Sequence, residues 1–183
     1  MDDARLMKLI SLQRHDFLND FQVVSGLLQL DRAEQARKYL NNAVRKMINL
    51  SGVMHLRATE AAAILLAYYS ALERGVGVRY EVQADLGGCA VPAEKLAPVL
   101  EAILFYSVEC LALPENKDRL MEVFIHTADG GYLFGVRYKT AAVPGTVDDV
   151  LRDIGDELLL YGASLKQSQV DGQTEIFLFL PAV

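Results

Sequence analysis

The chain has 183 residues, of which 52% are hydrophobic and 23% charged, and its formal net charge is -6. This length and composition are typical of a soluble protein with one core or two small ones, and they exclude a disordered or fibrous chain. The negative charge and the lack of a basic cluster argue against direct nucleic-acid binding, because affinity for the phosphate backbone depends on stripes of Lys and Arg.

The apolar and cysteine patterns give no sign of export, membrane insertion or metal binding. No apolar run follows the acidic start at Met1, so we expect no signal peptide. The longest apolar stretch, residues 61–72, is shorter than the ~20 residues that a membrane span needs. Cys89 and Cys110 lack C-x-x-C spacing, so neither a zinc site nor a disulfide scaffold is expected. The sequence therefore predicts a cytoplasmic protein that does not bind membranes.

Residues 1–58 are predicted to form a helical hairpin that serves as a dimerisation domain. Apolar residues recur on one face of the first helix, at Leu6, Ile10, Phe17, Phe21, Val24 and Leu28. Asp31 and Glu34 form an Asp-x-x-Glu capping box that predicts the start of the second helix. That helix carries its own stripe of Ala36, Leu40, Ala43, Met47, Leu50 and Met54. Two helices with one stripe each cannot enclose a core, so we predict a homodimer whose hairpins form a four-helix bundle.

Residues 59–183 are predicted to form an α/β domain, which makes the fold class α+β. Helices are expected from Thr59 to Gly75, from Pro92 to about Leu113, and from a cap at Thr146 to near Gly162. Strands are expected at residues 78–82, 120–127, 132–138, 165–170 and 174–180, with the last four paired as two hairpins. This order predicts one mixed sheet that is covered on one face by helices.

His15 is the candidate nucleophile. Its position is roughly opposite the centre of the first helix's apolar stripe, on a face with small or polar residues: Ser11, Asn19, Gln22 and Gly26. A lone histidine in a helix is usually a solvated surface residue, but this flat rim would let another protein approach the imidazole. His55 and His126 have no acidic or basic neighbours in sequence that indicate catalysis.

Three runs in the hairpin resemble a known family. They are R-H-D-F-L-N at residues 14–19, Q-V-V-S-G-L-L-Q-L at 22–30 and A-R-K-Y-L at 36–40. Together they resemble the phosphoacceptor hairpin of the sporulation initiation phosphotransferase B family, which also occurs in citrate- and dicarboxylate-type sensor histidine kinases. Residues 72–76 and the strand after them resemble the entrance to the ATP-binding domain of those kinases.

The kinases' asparagine-rich ATP-binding box, of the form G-N-L-x-D-N-A-x-E, is not preserved in the run that corresponds to it. Ala102 and Tyr106 occupy the positions of its two asparagines, and Phe105 occupies that of its aspartate. Magnesium requires oxygen ligands that these side chains do not replace. The later aspartate-and-glycine box is also missing, and the pairs Gly87-Gly88 and Gly130-Gly131 are better explained as turns than as phosphate cradles. We therefore expect a degenerate, kinase-like ATPase domain that does not use ATP.

The resemblance implies a phosphorelay phosphotransferase in sporulation initiation signalling. His15 would accept a phosphoryl group from the aspartyl phosphate of one response regulator and pass it to the aspartate of another. Asn19, Arg14 and Asp16 would support the transfer, although Arg14 and Asp16 are equally well explained as solvated helix residues. Ser11, Gln22 and Gly26 would form the docking surface. No cofactor is expected on this chain, because the Mg²⁺ would be held by the partner response regulator.

Two alternatives stay open at this point. The first is a non-catalytic, kinase-derived dimer that binds and modulates a response regulator or a kinase without being phosphorylated. The second is a true sensor kinase, which conflicts with Ala102, Phe105 and Tyr106.

Overall fold

The computed structural model describes residues 3–140 and 158–183. The chain divides into two compact units, Met1–Ser51 and Gly52–Val183.

The first unit is a helical hairpin of α1, Asp3–Gln29, and α2, Ala33–Ser51. The predicted hairpin and the position of its turn are confirmed. Leu9 on α1 and Ala36 on α2 are buried, while the half-buried Tyr39 of α2 donates a hydrogen bond of 2.7 Å to Asp20 Oδ1 of α1. A polar bond therefore joins the two helices across the hairpin.

The prediction that Asp31 caps the second helix is wrong, because Asp31 instead ends the first one. Its φ is 57°, in the left-handed region that Asp and Asn tolerate better than most residues. Its N–H donates to the Leu28 carbonyl at 3.1 Å, and the Arg32 N–H donates to the Leu27 carbonyl at 2.9 Å. These two bonds form a Schellman motif, which satisfies the last carbonyls of α1.

The second unit combines helices with a five-stranded sheet. It starts with a 3-10 helix, Gly52–His55. The elements that follow are α3 (Ala58–Glu73), β1 (Gly77–Val82), α4 (Ala93–Ala112), β2 (Leu120–Ala128), β3 (Gly131–Lys139), β4 (Ser164–Val170) and β5 (Gln173–Pro181). The predicted α+β class is confirmed. Pro92 immediately precedes α4 as its N-cap instead of being its first helical residue.

The strand order in the sheet is β1-β2-β3-β5-β4. β1 and β2 are parallel, with α4 between them in the chain, and the other pairs are antiparallel. One row of paired, buried side chains crosses four strands through Tyr80, Val123, Val136 and Ile176. The opposite side chains of β2 and β5, such as those of Phe124 and Phe177, are only half-buried. The sheet is therefore packed on one face, and the buried residues of α3 and α4 complete this core.

The predicted turns of the second unit are present where the structure describes them. Asp171 and Gly172 both have positive φ, 51° and 75°, as a two-residue type I′ hairpin turn requires. Gly75 has a φ of 70° and follows Arg74, the C-cap of α3, where a left-handed residue is expected. The predicted helix from Thr146 lies mostly outside the described residues, although its expected end at Gly162 has a φ of 78°.

Candidate functional site

The candidate site is the outer face of α1 around His15. The side chains of Ser11, His15, Asn19 and Gln22 are exposed, and Gly26 is half-buried. Their spacing of three and four residues in a continuous α-helix places them along one side of it. The imidazole is therefore accessible to another macromolecule, and its immediate helical neighbours on that side are small or uncharged.

Arg14 and Asp16 do not share this face. Arg14 is exposed, whereas Asp16 is half-buried. Asp16 lies one helical turn before Asp20, on the side of α1 where Asp20 bonds to Tyr39 of α2. The structure thus places the carboxylate of Asp16 toward the second helix.

The contact between Asp20 and Tyr39 was not predicted from the sequence. The hydrogen bond to Asp20 raises the pKa of Tyr39 to about 12, and desolvation and the negative charges of Asp20 and Asp16 add to this shift. The phenol therefore keeps its proton, and with it the hydrogen bond, at neutral pH. The spacing of four residues between Asp16 and Asp20 is apparent in the sequence. No local pattern, however, indicates that Asp20 contacts a tyrosine 19 residues further along the chain.

The predicted apolar stripe of α1 is not the surface that packs against α2. Large apolar side chains of both helices stay exposed in the hairpin, namely Met7, Ile10, Phe17, Leu18, Phe21 and Leu28 of α1 and Leu40, Val44, Met47 and Ile48 of α2. Phe21 is 68% exposed and Ile48 is 65% exposed. The hairpin therefore presents a substantial apolar surface after its two helices have packed together.

The hairpin is basic although the whole chain is acidic. Residues 1–51 contain eight Lys and Arg and six Asp and Glu, whereas residues 52–183 contain ten and eighteen, so the net charges are +2 and -8. Arg37, Lys38 and Arg45 line an open groove of about 320 Å³ on α2. The first unit thus presents cationic side chains on its second helix.

The positions that the sequence resemblance aligns with the kinase ATP-binding box lie on α4. Ala102 and Phe105 are half-buried and Tyr106 is buried. Tyr106 lies in a cluster with Cys110 and with Tyr138 of β3, where burial raises the pKa of the Cys110 thiol. The Tyr106 side chain is therefore part of the core, and these three residues do not fit the carboxamide and carboxylate ligands that a magnesium–nucleotide site needs.

The remaining histidines lie in the second unit. His55 is exposed and borders an open cleft of about 520 Å³ together with Asp85 and Tyr132. His126 Nε2 lies 3.5 Å from Glu81 Oε1. The parallel pairing of β1 and β2 brings this acidic side chain to His126 from the adjacent strand. His126 therefore has a charged neighbour that the sequence did not predict.

Cys89 and Cys110 do not form a disulfide, and both are buried. Within residues 3–140 and 158–183, no group of three or more His, Cys, Asp and Glu side chains could hold a metal ion. No helix in these ranges has the length and hydropathy that a membrane span requires.

The comparisons with known proteins give a family model for the N-terminal residues and solved structures of similar fold. The family model of the sensor kinase SpoOB-type alpha-helical domain matches residues 1–56. No curated protein matches the chain in sequence.

Solved histidine kinase structures are similar in fold. The histidine kinase domain of the blue-light-activated kinase EL346 from Erythrobacter litoralis is 13% identical, with a TM-score of 0.52 over 68% of this chain and 61% of that one. The histidine kinase AdeS of Acinetobacter baumannii is 11% identical, with a TM-score of 0.51 over 92% of this chain and 98% of that one. The catalytic domain of the histidine kinase ThkA is 8% identical, with a TM-score of 0.54 over 68% of this chain and 91% of that one.

The chain thus spans less than two thirds of the Erythrobacter fragment, and identities this low bear on the fold alone. The match of residues 1–56, which contain the R-H-D-F-L-N run, confirms the resemblance seen in the sequence. Residues 1–56 are therefore similar to the sensor kinase SpoOB-type alpha-helical domain, and the fold of the chain is similar to that of solved histidine kinases.

Proposed function

We propose that this chain is a phosphorelay phosphotransferase that moves a phosphoryl group between response-regulator aspartates through a phosphohistidine at His15. The observation that carries the proposal is the exposed imidazole of His15 on a SpoOB-type hairpin, on a face with Ser11, Asn19 and Gln22. The resemblance to the sporulation initiation phosphotransferase B family extends the proposal to sporulation initiation signalling.

The chemistry requires one nucleophilic nitrogen and accurate positioning. The unprotonated nitrogen of neutral His15 attacks phosphorus, an N–P bond forms as the P–O bond to the donor aspartate breaks, and that aspartate leaves as a carboxylate. In the second half, the carboxylate of another regulator attacks phosphorus and the imidazole leaves. Phosphoryl transfer depends mainly on alignment and on neutralisation of charge, and the Mg²⁺ of the regulator supplies part of the latter.

The neighbours of His15 support this role in different ways. Asn19 lies one turn from His15 on the same face and can donate an amide hydrogen bond to a phosphoryl oxygen. Arg14 is exposed and its guanidinium can screen phosphoryl charge. Ser11, Gln22 and Gly26 form a flat surface on which the regulator can dock. The basic side chains of α2 favour an acidic partner. Asp16 is assigned a supporting role through the hairpin instead of direct contact, because it is half-buried on the α2 side.

The proposed molecule is a homodimer. The apolar side chains that stay exposed on α1 and α2, such as Phe21 and Met47, need a partner surface of the same kind. A second hairpin supplies that surface in a four-helix bundle. Because His15 is on a different side of α1 from Phe21, dimerisation through this surface leaves the imidazole accessible.

An ATP-dependent reaction is not part of the proposal. Ala102, Phe105 and Tyr106 replace the oxygen and carboxamide ligands, and Tyr106 is buried in the core. The chain therefore needs no cofactor of its own, and it transfers an existing phosphoryl group.

The test is transfer of labelled phosphate from prephosphorylated response regulators to the purified protein. We expect acid-labile, base-stable label on the wild type and none on His15→Gln. His55→Gln is the matched control, because it removes another exposed histidine and should leave the labelling unchanged.

The other outcomes separate the alternatives. Label on His15→Gln would contradict the assignment of the phosphoacceptor. Regulator binding without label would support a non-catalytic, kinase-derived modulator. Label from ATP alone would identify a sensor kinase.

A further inference from the structure

We propose that the hydrogen bond between Tyr39 and Asp20 positions the phosphoacceptor face of α1 for transfer. In this role Tyr39 is a positioning residue that acts through α1 and does not contact the phosphoryl group. The inference rests on the proposed function of His15 and adds a residue of α2 to it.

The contact joins the two helices close to the phosphoacceptor. Tyr39 is half-buried on α2, and its hydroxyl donates to Asp20 Oδ1 at 2.7 Å. Asp20 is five residues after His15 on the same helix. The bond therefore fixes the rotation of α1 about its own axis within two turns of the reacting imidazole.

The acids near this contact explain why a hydroxyl donor is needed. Asp16 and Asp20 are four residues apart on one face of α1, and two like charges at that spacing repel each other. Both are half-buried toward α2, and their negative charges both act on the Tyr39 phenol. By donating to Asp20, Tyr39 holds this acidic side of α1 against α2 and keeps it apart from the side that carries His15.

A small rotation of α1 would be costly for transfer. A helix with side chains is about 10–12 Å across, so a rotation of about 10° moves a side-chain tip by about 1 Å. A displacement of about 1 Å at the reacting atom can cost up to about 10²-fold in rate. Loss of one hydroxyl at the helix–helix contact should therefore reduce the transfer rate without removing any group from the regulator's docking surface.

The experiment measures single-turnover transfer from a phosphorylated regulator to the wild type, Tyr39→Phe, Asp20→Asn and the double variant. We expect each single change to slow transfer at saturating regulator about tenfold, with the half-saturating regulator concentration unchanged. The double variant should be no slower than the singles, because the two residues act through one bond. Ser51→Ala is the control, since it removes another hydroxyl of α2, one that donates to the Ile48 carbonyl at 2.7 Å within its own helix, and it should keep the wild-type rate.

The experiment distinguishes failure of the positioning role of Tyr39 from failure of the proposed function of His15. If the wild type accepts label and both single variants transfer at its rate, the positioning role is overturned, even if their melting temperatures fall. If both singles are slow but the double variant loses the product of their effects, the residues act independently and the inference also fails. If the wild type itself accepts no label, the proposed function fails.

Discussion

Arg57 and Glu60 form an ion pair in which the carboxylate is completely buried while the guanidinium remains partly exposed. Glu60 Oε1 accepts a hydrogen bond of 2.7 Å from Arg57 Nε and another from Nη2. The same Nη2 donates to the Val91 carbonyl at 3.1 Å. One guanidinium thus connects the first turn of α3 with the segment that precedes α4.

Replacing Arg57 should destabilise the second unit strongly. In Arg57→Met, Glu60 keeps its burial but loses its cationic partner, and removal of one member of a buried pair costs about 3–5 kcal/mol. Urea denaturation measures this loss in the free energy of unfolding. The matched change Arg37→Met breaks the exposed pair with Glu34 and should cost less than about 0.5 kcal/mol. Equal losses in the two variants would show that burial of Glu60 does not determine the cost.

Gly131 should tolerate no side chain at the start of β3. A Cβ at this position would lie 2.1 Å from the Leu180 carbonyl oxygen and 2.9 Å from Pro181 Cα, both of which are backbone atoms. Because the paired strand would have to move, we expect Gly131→Ala to destabilise the protein by about 3 kcal/mol.

The neighbouring Gly130 is the control for this effect. Its φ is 77°, but a Cβ there meets no atom within 4 Å. Gly130→Ala should therefore cost only the strain of a left-handed alanine, about 1 kcal/mol. Thermal unfolding of both variants would contradict the steric explanation if Gly130→Ala were the less stable protein.

The stability of the hairpin should depend on Tyr39 at high pH. The folded-state pKa of about 12 is above the ordinary value of 10.0, mainly because the phenol donates to Asp20. The stabilisation is therefore fully present below pH 10 and is lost as the pH rises through 12. Ultraviolet titration of the wild type minus Tyr39→Phe should show one tyrosine that ionises near pH 12, and in Asp20→Asn this ionisation should move toward 10. A difference spectrum that already titrates near 10 in the wild type would rule out the hydrogen bond in solution.

Dimerisation should depend on the apolar side chains exposed on the hairpin. Phe21→Glu places a charge on a surface that a second hairpin would bury, so we expect a monomer at micromolar concentration. Sedimentation equilibrium measures the change. Leu160→Glu alters a side chain that is 84% exposed in the second unit and should leave the dimer intact. A dimeric Phe21→Glu protein would place the interface elsewhere.

Local patterns predicted most of the elements because helices, strands and turns depend on neighbouring residues. The 3.6-residue period predicted α1 and α2, and Asp171-Gly172 predicted the last hairpin turn. Asp31 was misassigned because aspartate favours both the start of a helix and the left-handed position after its end. The choice between these roles depends on which backbone groups it meets.

The sequence by itself determined the exposed position of His15, because a regular helix converts residue spacing directly into direction. It also predicted that Ala102, Phe105 and Tyr106 stand where the resemblance to the kinases would place ATP-binding residues. Only the tertiary structure decided that Tyr39 meets Asp20, that Arg57 and Glu60 connect to Val91, and that β5 lies between β3 and β4. These contacts join residues that are distant in sequence, and they form only where packing of the whole unit brings helices and strands together.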